Sequence, residues 1–186
     1  MREAQIKKAL ADHLLRSGAG ESYSFLEELR LHGGEIRADL VCVEDMHCYE
    51  IKSSADTLSR LIGQGSRYAR FFDRVTLVMA ERHVVKAMGL LPPWWGAMML
   101  RADSGDFVSL REAGFNVRQS AGTLASVLTK DEALHILGGP IQAKSFRSKS
   151  LYLLQQHIAA ALPLEEIKLH IRDALLARAG KVWAVH

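Results

Sequence analysis

Hydrophobic and polar positions follow a helical period at the start of the chain and then change to strand-like runs. Residues 2–16 carry apolar side chains at helical spacing, which predicts an amphipathic opening helix that ends near Gly18. Three runs of strand-forming residues follow, at 23–31, 36–43 and 47–51. The last two are separated by Glu44-Asp45, which predicts a hairpin turn.

The middle of the chain continues with alternating elements, and the last third is helical. The pattern predicts a helix over 55–72, an apolar central strand over 74–80, a short helix over 83–90 and strands over 94–100 and 107–110. Further helices are predicted over 122–137, 148–162 and 163–179. We therefore expect an α/β fold: a mixed central sheet flanked by helices in residues 1–118, with a C-terminal helical subdomain in residues 119–186.

Two carboxylates interrupt the strand pattern where burial is expected. Asp39 precedes the apolar run that starts at Leu40, and Glu50 lies between Tyr49 and Ile51. Carboxylates are rarely buried without a partner. A hairpin places Asp39 and Glu50 side by side, and Lys52 shares the strand face of Glu50 because side chains alternate with a period of two.

Two adjacent carboxylates repel each other unless a proton or a cation lies between them, and oxygen ligands of this kind suit Mg²⁺ or Mn²⁺. A metal ion beside an ammonium group can activate water and neutralise charge on a phosphate. These are the components of a phosphodiesterase. The alternative is an edge strand on which Glu50 and Lys52 are merely solvated.

Asp39, followed after a short hairpin by Glu50-Ile51-Lys52, resembles the core motif of the PD-(D/E)XK nuclease superfamily, with Ala38 in place of the proline. Flanking stretches resemble more narrowly a bacterial family of that superfamily; they are 37–41, 49–53, 56–58, 60–61 and 72–78. The resemblance implies a restriction-endonuclease-like core and a Mg²⁺- or Mn²⁺-dependent endo- or exonuclease that hydrolyses DNA. In that enzyme Asp39 and Glu50 bind the metal, and Lys52 acts on the water or the scissile phosphate. The alternative is a non-cleaving DNA-binding or scaffold protein on the same fold.

The superfamily often carries a further acidic residue before the Asp. Glu28, at the end of the first strand, is preferred here as the third metal ligand over Glu27 and Glu3. Gln64 and Tyr68 are four residues apart on the boundary between the two faces of their helix, and the pair resembles a motif of the RecB-like branch that supports the site or contacts DNA. The alternative for this pair is a surface glutamine and an aromatic residue at the edge of the core.

Arg60 and Arg67 lie on the opposite helix face, either as DNA phosphate contacts or as a solvated arginine face. The formal charge of +3 is concentrated in residues 141–186, where seven Lys or Arg stand against three acidic residues. This basic segment suits phosphate contact, and its helices offer a surface for a homodimer or a protein partner.

Length and composition indicate one globular domain, or one domain with a modest appendage: the chain has 186 residues, 48% of them hydrophobic. No apolar run approaches membrane-spanning length, and the first residues do not open a signal peptide. Cys42 and Cys48 fall inside predicted strands, as small buried side chains do in a reducing compartment. We therefore expect a cytoplasmic protein without a membrane segment.

Overall fold

The computed structural model describes residues 3–17, 23–59, 61–138 and 145–179. Within these ranges the chain forms a six-stranded mixed sheet whose strands lie in the order in which they occur in the sequence. The strands are β1 (Phe25–Leu31), β2 (Ile36–Cys42), β3 (His47–Lys52), β4 (Arg74–Ala80), β5 (Gly96–Leu100) and β6 (Phe107–Arg111). The α/β class expected from the sequence is confirmed.

Seven α-helices that lie wholly within the described residues accompany the sheet. They are α1 (Glu3–Ser17), α2 (Leu61–Tyr68), α3 (Val84–Met88), α4 (Ala121–Ala125), α5 (Lys130–Ile136), α6 (Leu151–Ala161) and α7 (Leu164–Ala179). Short 3₁₀ turns lie at His32–Gly34 and Glu81–His83. No helix in these ranges is both long and apolar enough to cross a membrane.

The direction of each strand follows from the length of the connection before it. β1, β2 and β3 are antiparallel neighbours joined by tight turns. β3, β4 and β5 are parallel, because the segments between them carry α2 and α3 and return the chain to the same end of the sheet. β6 then reverses direction beside β5.

The two faces of the sheet carry separate apolar clusters. Ile6 and Leu10 of α1 pack with Leu40 and Ile51 on one face. On the other face the buried side chains of the C-terminal helices share one cluster with the sheet; they are Leu154, Ile158, Ile167, Ile171 and Leu175. The division into a core at 1–118 and a helical subdomain at 119–186 stays a prediction.

Two predicted helices differ in the structure: one is shorter than expected and the other is divided in two. The helix expected over 55–72 begins at Leu61, because Asp56 accepts hydrogen bonds from the backbone N–H of Ser53 at 2.8 Å and from its hydroxyl at 2.6 Å, which holds a turn. The helix expected over 122–137 is divided into α4 and α5. Thr129 begins α5 with a capping box that involves Glu132, so the chain restarts a helix where one continuous helix was expected.

Candidate functional site

A cleft of about 890 Å³ opens where β2 and β3 meet the start of α1 and the first turns of α2. Its wall is mostly polar. Acidic lining residues are Glu3, Glu35, Asp39, Glu50 and Asp56, and basic ones are Arg30, Arg37, Lys52 and Arg67. The cleft therefore combines both signs of charge at one end of the sheet, which suits an ion or an ionic ligand.

An irregularity in β1 and β2 brings the acidic groups together. Glu28 has a left-handed backbone with φ of 58°, and the pairs that flank it place it opposite Asp39. Strict alternation along β2 would put Ala38 and Leu40 on one face, yet Ala38 belongs to the cluster under the C-terminal helices and Leu40 to the cluster under α1. The alternation is thus interrupted at Asp39, next to the distortion at Glu28.

Three carboxylates converge at this irregularity. One oxygen each from Glu3, Glu28 and Asp39 lie within 4.8 Å of one another, a spacing that allows all three to hold one metal ion. Glu28 and Asp39 are members of the predicted metal-binding set, and Glu3 was the less favoured choice for the third carboxylate. Sequence reasoning therefore gave too little weight to Glu3, whose position at the start of α1 faces the β1–β2 pair.

Asp39 has an environment unfavourable to its own charge. Burial is the largest cause, followed by the charge of Glu50, and together they raise the pKa of Asp39 to about 6. The backbone N–H of Ile51 donates to Asp39 at 2.7 Å, and this bond and the charge of Lys52 act in the opposite direction. A carboxylate of this kind is incompletely neutralised by the protein and gains from a bound cation.

Glu50, with 1% of its side chain exposed, is held by three donors. Lys52 Nζ lies 2.5 Å from Oε1, Gln64 Nε2 donates to the same oxygen at 3.0 Å, and the Tyr68 hydroxyl donates to Oε2 at 2.7 Å. The structure thus brings Lys52, Gln64 and Tyr68 together at Glu50. Tyr68 is fully buried, and its burial raises the pKa of its hydroxyl far above the usual range, so it remains a donor.

Lys7 is a site residue that sequence reasoning missed. A charged residue of an amphipathic helix is expected to face solvent, but only 5% of the Lys7 side chain is exposed. Its ammonium group pairs with Glu28 and, at 2.8 Å, with Glu3. Arg37 Nε also pairs with Glu28, although Glu28 Oε2 is buried without an aligned hydrogen bond. The signal available in the sequence was the i, i+4 spacing of Glu3 and Lys7 beside the apolar Ile6.

The two predicted arginine contacts have different outcomes. Arg67 lies on the cleft wall, with 48% of its side chain exposed and Nη2 at 3.6 Å from Glu35 Oε2. Arg60 lies outside the described residues. Among the described residues that line the cleft there is no aromatic side chain, so the wall offers charge and hydrogen bonds rather than stacking surfaces.

Comparison with known proteins identifies the family. The family model for bacteriophage P4 protein cII matches residues 1–182, and the chain therefore belongs to the phage P4 cII family. Protein cII of Enterobacteria phage P4 is 32% identical over 83 residues, which are 44% of this chain and 31% of that protein. The aligned segment thus spans about a third of the length of this curated relative. No solved structure matches the chain significantly.

This result corrects the assignment made from the sequence motif. The chain was expected to belong to the PD-(D/E)XK nuclease superfamily and to be a metal-dependent hydrolase of DNA. That assignment was wrong, because both the family model and the curated relative identify the phage P4 cII family. A carboxylate followed by Glu-x-Lys is a short pattern, whereas the family match covers 182 residues.

Proposed function

We propose that the protein binds a divalent cation, Mg²⁺ or Mn²⁺, in the cleft and uses it to hold the phosphate backbone of DNA. The observation that carries the proposal is the convergence of Glu3, Glu28 and Asp39 beside the four basic side chains that line the cleft. Hard divalent cations prefer carboxylate oxygens, and they bridge such oxygens to phosphates. The donor set therefore fits the ion.

The proposed ligands are Asp39, Glu28 and Glu3. Glu50, the remaining predicted ligand, already accepts three hydrogen bonds, from Lys52, Gln64 and Tyr68. A carboxylate has about four acceptor sites, so Glu50 has one left for the ion. Its second role is to hold Lys52 at the cleft. A bound cation neutralises the acidic cluster and presents positive charge to an anionic ligand.

The proposed ligand is the backbone of DNA rather than its bases. Arg30, Arg37, Lys52 and Arg67 supply cations on the cleft wall, which suit phosphate oxygens. Base recognition of single strands relies on aromatic stacking, and the described cleft wall has no aromatic residue. Binding should therefore depend strongly on salt and weakly on sequence.

We also propose that the sheet and its first helices form a restriction-endonuclease-like core, as the sequence led us to expect. The arrangement that supports it is a helix, three antiparallel strands, a crossover helix and two further parallel strands. One fold hosts several functions, so this topology carries no claim about cleavage.

The test is fluorescence anisotropy of a labelled duplex titrated with protein, in Mg²⁺ and in EDTA. We expect binding in Mg²⁺ that weakens at least about tenfold in EDTA, because the cation contributes directly to phosphate contact. Asp39→Asn should remove the Mg²⁺ dependence. The matched control is Asp103→Asn, an exposed acidic residue paired with Arg101 between β5 and β6, which should behave as wild type.

Two results would contradict the proposal. One is equal affinity for DNA in Mg²⁺ and in EDTA, which would show that DNA binding does not depend on a cation held by the carboxylates. The other is degradation of the duplex during the titration, since the proposal is one of binding and the DNA should be recovered intact.

A further inference from the structure

Lys7 is a buried cation among the groups proposed to hold the metal. Lysine side chains are almost never buried unless they are paired, and this one has 5% of its side chain exposed. Its partners are Glu28 Oε1 and Glu3 Oε1. Two of the three carboxylates in the cluster are therefore already engaged by a positive charge that belongs to the protein.

A divalent ion and the Lys7 ammonium require the same carboxylates. The cluster is compact, with oxygens from Glu3, Glu28 and Asp39 within 4.8 Å of one another. Two cations placed among these oxygens would repel each other strongly. Asp39 is paired with no cation within the described residues and accepts only the Ile51 N–H, so it offers an incoming divalent ion its first ligand.

We propose that Lys7 is an internal counter-ion that the divalent cation displaces. This inference rests on the proposed function, because it requires the carboxylate cluster to be the cation site. When no metal is bound, Lys7 reduces the electrostatic repulsion among the carboxylates of Glu3, Glu28 and Asp39. The same ammonium lowers the affinity for the metal, because it must leave before the full set of oxygens is available.

The packing of α1 against the sheet gives the Lys7 ammonium group a fixed position. Lys7 follows Ile6, which is 2% exposed and packs against the sheet with Leu10. The docking of α1 therefore fixes the root of the Lys7 side chain beside β1. Lys8, the next residue, is exposed and has no place in the cluster, which makes it a matched control.

The first experiment compares Mn²⁺ affinity, measured by calorimetric titration, in wild type, Lys7→Met and Lys8→Met. Methionine keeps much of the apolar length of lysine and removes the charge. We expect Lys7→Met to bind Mn²⁺ about tenfold or more tightly than wild type, because a competing unit charge is gone from the site. Lys8→Met should match wild type.

The second experiment uses the wild-type protein, so it does not depend on whether a variant folds. Amine acetylation is followed at each lysine by mass spectrometry, with and without Mn²⁺. Lys7 should be protected without the metal and become several-fold more reactive with it. Lys168 is the internal control, because it is also buried and its Nζ lies 2.9 Å from Asp73, outside the carboxylate cluster. It should stay protected in both conditions.

The outcomes separate this inference from the function on which it rests. If wild type and Lys7→Met both bind no Mn²⁺, the proposed cation site fails and the inference fails with it. If wild type binds Mn²⁺ through Asp39, but Lys7→Met binds no more tightly and Lys7 stays protected, the cation site stands and the displacement is refuted. Tighter binding by Lys7→Met together with metal-induced reactivity of Lys7 supports both.

Discussion

Two carboxylates, the buried Asp73 and the half-buried Asp39, have contrasting surroundings in the same fold. Asp73, just before β4, is 5% exposed and has Lys168 Nζ at 2.9 Å and Gln119 Nε2 at 2.5 Å. Among the described residues Asp39 accepts a hydrogen bond only from the Ile51 N–H, and the charge of Glu50 lies nearby. The charge of Asp73 is neutralised by Lys168, and this ion pair holds α7 against the sheet. Asp39 lies at the wall of an open cleft and its charge is not neutralised by an ion pair among the described residues. A carboxylate in this situation favours the binding of a cation.

The largest effect should come from the same substitution made at both positions. Asp73→Asn leaves the buried Lys168 with Glu165, at 3.7 Å, as its one remaining anionic partner among the described residues. Breaking a buried ion pair costs about 3 kcal/mol of the free energy of unfolding. Asp39→Asn keeps an acceptor for Ile51 and removes a repelled charge, so without metal it should be neutral or stabilising by up to about 1 kcal/mol. Urea unfolding at neutral pH in EDTA measures both.

Equal destabilisation by the two substitutions would break the comparison, because it would mean that Asp39 is a structural group like Asp73. Mn²⁺ affinity provides the complementary control. It should be lost in Asp39→Asn and unchanged in Asp73→Asn after correction for the folded fraction.

Tyr68→Phe should give the next largest effect. The substitution removes the 2.7 Å hydrogen bond from the buried hydroxyl to Glu50, and a bond to a charged group contributes about 2 kcal/mol to stability. Tyr152→Phe is the control, since Tyr152 lies on α6 and is 67% exposed. Thermal or urea unfolding should separate the two variants. An unaffected Tyr68→Phe protein would show that Glu50 does not need the Tyr68 hydroxyl as a donor.

The pH dependence of stability should reveal the raised pKa of Asp39. With a pKa of about 6 in the folded protein and 3.8 as its ordinary value, the carboxyl binds its proton more tightly when folded. Its contribution to stability is present below the ordinary pKa and is lost as the pH rises through 6. In EDTA, wild type should therefore lose stability relative to Asp39→Asn across this window, by no more than the roughly 3 kcal/mol that a shift of this size represents. A difference in the free energy of unfolding that does not change with pH would contradict the raised pKa of Asp39.

The smallest expected effect concerns the backbone of Glu28. Glycine in a strand is usually less stable than alanine by about 0.5–1 kcal/mol, but φ of 58° at this position penalises any residue with a Cβ. Glu28→Gly should therefore be more stable than Glu28→Ala by about 1 kcal/mol, although both lose the carboxylate. The reverse order in urea unfolding would show that the backbone relaxes when the side chain is removed.

Much of the fold and part of the site were predictable from local patterns. The hairpin register that pairs Leu40 with Tyr49 follows from strand runs and a short turn, and it brings Asp39 next to Glu50. The spacing of Gln64 and Tyr68 on one helix likewise placed them on the side of α2 that meets Glu50. These features depend on periodicity, which the sequence carries directly.

The rest depends on contacts between distant elements or on unusual backbone geometry. Lys7 was missed because its burial depends on how α1 docks against the sheet, which the pattern of the helix alone does not encode. The left-handed backbone of Glu28 has no glycine or asparagine to signal it. The superfamily was misassigned because a short carboxylate and lysine motif arises readily on a buried hairpin, whereas family membership is a property of the whole chain.

The most direct test of the cation site is the electron paramagnetic resonance titration of Mn²⁺ into wild type and Asp39→Asn, which counts bound ions through the loss of the free Mn²⁺ signal. The account predicts saturable binding of one Mn²⁺ by wild type and loss of that binding in Asp39→Asn, while the folded Asp103→Asn control binds as wild type. Undiminished binding by Asp39→Asn, or no binding by wild type, would contradict it.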